Sequence, residues 1–259
     1  MKQYLNLVED VMENGKDKGD RTGTGTRSVI GRQMRFNLQD GFPIVTAKKT
    51  NFNAVVAELL WFIEGSTNSQ RLNELGAKIW DEWSTETGEL GPVYGKQWRQ
   101  WNSPDLPAAK ERLDQLQSIV EEALGQHPLD ISMESLSLAK TLIDRIRNAD
   151  LDQTTDQLKE VIAQLQEKPN SRRIILNAWN PADLPSEDYS PIENAAMGKA
   201  ALPPCHTLCQ FFTEELTTDE RIDYAEKLGH SVTTTKEAIY QLEFLGIPTR
   251  KLHCQMYQR

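Results

Sequence analysis

Among the side chains of this sequence, Cys205 is the one best suited to covalent chemistry. Pro203 and Pro204 precede it, force an extended approach and remove two backbone donors. The thiol therefore stands at the start of a strand, where a side chain can face a cavity. A free cysteine more often ends as an inert buried thiol, because reactivity needs the thiolate and a thiolate needs a cation nearby. His206 is adjacent, but neighbours along a strand point to opposite faces, so an arginine brought in by tertiary structure is the better activator. Glu58 is the second candidate. It lies three residues after Val55 and four before Phe62, on the apolar stripe of a helix. A carboxylate there is desolvated unless it faces a cavity, and desolvation raises its pKa towards the range useful for proton transfer. The alternative is a glutamate at the edge of the stripe that reaches solvent.

Arginines and aromatic rings supply the rest. Arg21 lies beside Gly23 and Gly25, in a loop whose backbone can come close to a ligand. Ser171-Arg172-Arg173 opens a strand; paired arginines there are commonly just solvated, yet two guanidinium forks also suit a phosphate. Five of the six tryptophans fall between positions 61 and 101, either as core packing or as a platform for flat rings. Cys205, His206, Cys209, His253 and Cys254 are soft ligands on two strands, but there is no Cys-x2-Cys pair and Cys205 and His206 diverge, so no metal site is expected.

Elements that position these groups can be read from periodicity. Residues 3–14 carry Tyr4, Leu7, Val8 and Val11 at helical spacing, with Gly15 as a stop. Met34, Phe36 and Leu38 alternate with polar residues and predict a half-buried strand. Residues 51–64 predict a helix whose apolar side is Phe52, Val55, Val56, Leu59, Leu60, Phe62 and Ile63, closed by Gly65. Three amphipathic helices are expected over 106–168, strands at 172–179 and 205–213, and an irregular stretch at 181–201 between those strands. Residues 214–250 read as polar and partly helical. Lys251 to Arg259 alternates as a strand, with Leu252, Cys254, Met256 and Gln258 on one face.

Bulk properties bound the reading. The 259 residues carry a net charge of −9, which argues against a general nucleic-acid binder. It leaves room for a small phosphorylated ligand held by a few converging arginines. Three cysteines do not build a disulfide framework, no apolar run approaches a membrane span, and the acidic N-terminal region is no signal peptide. A cytoplasmic protein is expected.

Taken jointly and in order, seven strings resemble the thymidylate synthase family. They are Asp20-Arg21-Thr22-Gly23-Thr24-Gly25-Thr26, Glu58-Leu59-Leu60-Trp61-Phe62, Ile79-Trp80-Asp81-Glu82-Trp83, Gly91-Pro92-Val93-Tyr94-Gly95, Ser171-Arg172-Arg173-Ile174-Ile175, Pro204-Cys205-His206 and Cys254-Gln255-Met256-Tyr257-Gln258-Arg259. The resemblance covers roughly 1–105, 151–181, 201–213 and 251–259. It implies one α/β (α+β) domain over 1–259, a mixed twisted sheet covered by helices, with a helical insertion at 106–150 and smaller insertions at 182–200 and 214–250. It further implies reductive methylation of dUMP to dTMP by 5,10-methylenetetrahydrofolate through a Cys205 adduct at pyrimidine carbon 6. Glu58 would relay protons and Tyr94 would help remove the carbon 5 proton through water. Trp80, Ile79, Trp83 and Leu202, with Glu58, would line the folate pocket. Arg21 and Arg259 would hold the phosphate, Arg259 also favouring the Cys205 thiolate, with Gln258 and His206 completing the surroundings. Arg172 and Arg173 would come from the other subunit of a homodimer.

In the family the motif at Arg259 runs on into Ser-x-Asp, a Pro-Phe-Asn segment and Gly-Asp-x-His-x-Tyr, which read the pyrimidine, the pterin and the sugar. A chain lacking its C-terminal part, with little or no turnover of its own, is therefore expected. A deoxypyrimidine-monophosphate hydroxymethyltransferase on the same scaffold, and an inactive fragment or pseudoenzyme that only dimerises, are the alternative readings.

Overall fold

The computed structural model describes residues 2–19, 23–101, 114, 115, 118, 141, 154–232 and 237–259. Arg21 and nearly all of 106–150 lie outside them; the described positions 114, 115, 118 and 141 are helical. The chain divides into two compact units, Met1–Val55 and Val56–Arg259.

In the first unit, α1 (Lys2–Asn14) ends where Gly15 N–H donates to the Val11 carbonyl at 3.0 Å. β1 (Lys16–Lys18) and β2 (Thr26–Ser28) pair antiparallel, Asp17 opposite Arg27. The strand expected through Met34, Phe36 and Leu38 is absent. These residues run as irregular backbone into a single 3-10 turn, Leu38–Asp40, where the Asn37 side chain accepts from Gln39 N–H at 3.2 Å. Alternation alone makes no strand: among the described residues no neighbour offers Met34–Asn37 a ladder, and the local Asn cap wins.

The boundary between the units falls within α2 (Phe52–Glu64), which is apolar almost all round. Its buried residues are Ala54, Ala57, Trp61 and Phe62, with Glu58 half-buried among them. This corrects the expected stripe: Val55, Val56, Leu59, Leu60 and Ile63 are 37–48% exposed. A helix hydrophobic on every side has no single inward face for its pattern to announce. α3 (Ser69–Glu74) is capped by Asn68, and α4 (Tyr94–Arg99) follows a 3-10 turn at Asp81–Trp83. α5 (Gln157–Glu167) starts at Asp156, whose carboxylate accepts from Lys159 N–H and pairs with Arg99 at 2.9 Å, tying α5 to the end of α4.

β3 (Ile175–Asn177), β4 (His206–Glu215) and β5 (Arg250–Gln258) form an antiparallel sheet in the order β3-β4-β5. Helices and sheets mix as the α/β class predicts, and both described sheets pair antiparallel. Val161 and Leu165 of α5 pack on Ile174, Leu176, Cys209 and Phe211, so one face of β3 and β4 is core. Strand alternation puts Ile175, Phe212 and Tyr257 on the opposite face, at 38%, 54% and 65% exposure.

The two segments expected to be the smaller insertions each carry a local network of their own. Between β3 and β4 lies α6 (Pro191–Ala196), opened by a Ser190–Glu193 capping box. The buried Asn194 side chain donates to the carbonyls of Ser186, Tyr189 and Ser190 and accepts from Ser186 N–H. Between β4 and β5, α7 (Thr218–Lys227) and α8 (Ala238–Phe244) close over their own core of Ile222, Ala225, Val232, Leu242 and Ile247. The Arg221 guanidinium is buried beneath them and donates to the carbonyls of Ile247 and Pro248. No helix among the described residues is long and apolar enough to cross a membrane.

Candidate active site

The site is built where the first turn of α4 meets the start of β4. Tyr94 is buried, and its hydroxyl oxygen accepts from Cys205 N–H at 2.7 Å and from His206 N–H at 3.2 Å. Both lone pairs of the phenol are thereby engaged, and its own O–H proton is left to donate. Burial pushes the Tyr94 phenol above its ordinary value, partly countered by the two amides, so it is neutral at physiological pH. The Cys205 thiol is exposed. One residue on, the ladder slips: His206 faces Gln258 and Leu208 faces Tyr257, so β4 carries one residue more than β5. Such a bulge re-aims side chains at the start of a strand. The His206 ring lies 5.7 Å from the Tyr94 ring.

Arg259 continues the pairing on the other side. Its N–H donates to the Cys205 carbonyl at 2.9 Å, and its guanidinium lies 5.9 Å from the Trp179 ring centroid. Cys205 is thus clamped through both backbone groups, the amide on Tyr94 and the carbonyl on Arg259.

The second cluster centres on Glu58. Trp80 Nε1–H donates to Glu58 Oε1 at 2.6 Å, which fixes one carboxylate oxygen and leaves the other. Trp80 is 7% exposed and packs edge-on to Trp83 at 5.7 Å and to Tyr94 at 6.4 Å. Phe62 completes the wall, 4.5 Å from Tyr94 and 6.5 Å from Trp80. Ile79 is exposed beside it, and Leu202 joins Pro92, Tyr94 and Gln97 around a cavity of about 10 Å³.

Two glycines make this closeness possible. A Cβ on Gly91, at φ +66°, would meet the Lys199 carbonyl oxygen at 1.9 Å. One on Gly95 would meet the Ser66 carbonyl oxygen at 2.3 Å. Only hydrogen at these positions lets α4 sit between the Gly65–Ser66 turn and the segment leading to Cys205.

Cys205, Tyr94, His206, Gln258 and Arg259 are therefore brought together, as are Glu58, Trp80 and Trp83. Arg172 and Arg173 stand exposed just before β3. Among the described residues no group of three or more His, Cys, Asp and Glu side chains converges. Sequence reading missed Trp179, the buried amide of Gln97 and the half-buried amide of Gln157.

A sheet joined to helices, a clamped cysteine just before a strand and a carboxylate set in an aromatic wall place the chain in the α/β class, with a thiol and a carboxylate as its reactive groups. The sequence pattern described as thymidylate synthase matches residues 2–259, and the chain belongs to that family. It is similar to a thymidylate synthase of Francisella philomiragia subsp. philomiragia, 44% identical over 212 residues, which are 82% of this chain and 60% of that protein. The chain spans about 60% of the length of the curated relative it matches.

Proposed function

We propose that this protein converts dUMP to dTMP with 5,10-methylenetetrahydrofolate, through a covalent adduct at Cys205. The observation that carries the reading is the double acceptance by Tyr94 Oη of the Cys205 and His206 amides. It fixes the backbone that carries an exposed thiol, and the phenol that does so belongs to the aromatic wall of Phe62 and Trp80.

In this mechanism the Cys205 thiolate adds to carbon 6, and the displaced electron pair makes carbon 5 nucleophilic. Carbon 5 attacks the one-carbon unit of the folate. Loss of the carbon 5 proton, elimination of the folate amine and hydride transfer from the folate give the methyl group and dihydrofolate, and the thiolate leaves. Tyr94, neutral and with both acceptor sites filled, keeps its O–H proton and uses it to hydrogen-bond and orient a water, which takes the carbon 5 proton and passes it to solvent. Glu58 relays protons from the carboxylate oxygen that Trp80 does not hold. Ring stacking on Trp80 and Trp83, with Ile79 and Leu202 at the edges, suits the flat pterin. Arg259 faces the phosphate, and Gln258 and His206 frame the nucleotide. Arg172 and Arg173 reach the phosphate from the partner of a homodimer, supported by the apolar sheet face of Ile175, Phe212 and Tyr257. A cytoplasmic location fits this chemistry.

The test is product analysis with the protein expressed from its complete reading frame. The expected product is dTMP with one dihydrofolate per turnover. Formation of 5-hydroxymethyl nucleotide with no dihydrofolate would overturn the reading in favour of hydroxymethyl transfer. No turnover of either kind would favour a non-catalytic dimer.

A further inference from the structure

Behind Tyr94 lies a hydrogen-bond network that this chemistry does not use. Gln97, one turn further along α4, is 3% exposed and bonded at both ends of its amide. Its Nε2 donates to the Pro92 carbonyl at 2.9 Å and to Asp183 Oδ2 at 2.7 Å. Its Oε1 accepts from Asn180 Nδ2 at 3.3 Å, and that same Nδ2 donates to Asp183 Oδ2 at 3.0 Å. One carboxylate oxygen thus gathers two amide donors. The Gln97 carbonyl accepts from Gln157 Nε2 at 2.7 Å, and Gln157 also bonds both backbone groups of Asn177. α4 is thereby tied to α5 and β3.

The other end of the network leads to the cysteine. Ala200 N–H donates to the Asp183 carbonyl at 2.9 Å, Lys199 Nζ donates to the Ala182 carbonyl at 2.6 Å, and Ala201 N–H donates to the Leu90 carbonyl at 2.9 Å. Asp183 therefore stands at the neck of the 184–198 loop. Its carboxylate holds the middle of α4 through Gln97, and its carbonyl holds the irregular segment that runs from Ala200 to Cys205.

We propose that Asp183 is a positioning residue for Cys205: acting through Gln97 and the first turn of α4, it sets the Tyr94 hydroxyl against the Cys205 and His206 amides. The inference deepens the reading of Cys205 as nucleophile and rests on it for its catalytic meaning, though not for its geometry. Two amide donors converge on Asp183 Oδ2, so the position needs an acceptor. An asparagine oxygen meets that need and an alanine does not.

The test is residue-resolved amide exchange on the folded protein, run beside the rate of Cys205 attachment to 5-fluorodeoxyuridylate. In Asp183→Ala, exchange of the Cys205 and His206 amides is expected to accelerate about tenfold or more, as for loss of one hydrogen bond's protection, while the Val161–Ile174–Leu176 core is unchanged. The adduct rate is expected to fall about as much, and Asp183→Asn to restore both to within about threefold, since it keeps the acceptor oxygen. Should Asp183→Ala not fold, Gln97→Glu, which keeps the size and sets carboxylate against carboxylate, is expected to give the same local loss. Parent-like exchange at Cys205 and His206, or acceleration spread evenly through the core, would overturn the proposal. Absence of any adduct in the parent protein would overturn the nucleophile reading, and amide exchange would still decide the role of Asp183.

Discussion

A phenol oxygen has two lone pairs, and in Tyr94 both serve the backbone of the cysteine turn. Tyr94→Phe keeps the ring and its contacts with Phe62, Trp80 and Trp98 while stranding two amides. A stability loss of about 1–3 kcal/mol is expected, the cost of unsatisfied buried donors, measured by urea denaturation. An unchanged unfolding midpoint would show that the amides find other partners. The residue types of this site were legible early: Cys205, Glu58, Tyr94 and Arg259 stand out by chemistry, by motif or by both. Their partners were not. Nothing local links Trp80 to Glu58 across 22 positions, or Gln97 to Asp183 across 86. Such pairings are made by the fold, and sequence spacing carries no trace of them. The adjacent His206 illustrates the converse. Alternation said it would point away from the thiol, and what joins the two residues is the shared Tyr94 oxygen on their backbones.

At the scale of elements, the β4–β5 ladder creates a second thiol environment. Cys209 and Cys254 lie diagonally across it, Cys209 opposite Met256 and Phe211 opposite Cys254. A hydrogen bond from Cys209 lowers the Cys254 thiol to about 7, against the opposing effect of its partial burial; the same bond pushes Cys209 far upward. A lowered thiol pKa means that the thiolate is present above about 7 and is lost as the pH falls below it. Alkylation of Cys254 by iodoacetamide, followed by peptide mass spectrometry, should therefore rise through neutral pH, with Cys209 left unmodified. Cys209→Ala should move that rise to higher pH. Labelling of Cys209 ahead of Cys254 would contradict the assigned donor. The two long strands were legible because each alternates beside a partner that the fold supplies. Met34–Leu38 alternates equally well and forms no strand among the described residues, since pairing, which the pattern cannot report, is missing. On α2 the signal was saturated: with apolar residues almost all round, periodicity could not select Ala54, Ala57, Trp61 and Phe62 as the inward face.

For the whole molecule, the outer face of the three-stranded sheet exposes Ile175, Phe212 and Tyr257, beside the strand that Arg172 and Arg173 precede. A homodimer through this face is the proposed assembly. Phe212→Glu should convert it to monomer in light scattering, because a carboxylate would be desolvated at the contact; a dimer of parental mass would place the interface elsewhere. The proposed chemistry turns on one bond, between Cys205 Sγ and carbon 6 of a pyrimidine. The most direct measurement is the intact mass of the protein, expressed from its complete reading frame, after incubation with 5-fluorodeoxyuridylate and 5,10-methylenetetrahydrofolate. A mass increase equal to nucleotide plus folate is expected, mapped to the Cys205 peptide and absent from Cys205→Ala. An adduct of the same mass in Cys205→Ala, or one mapped to Cys209 or Cys254, would contradict it.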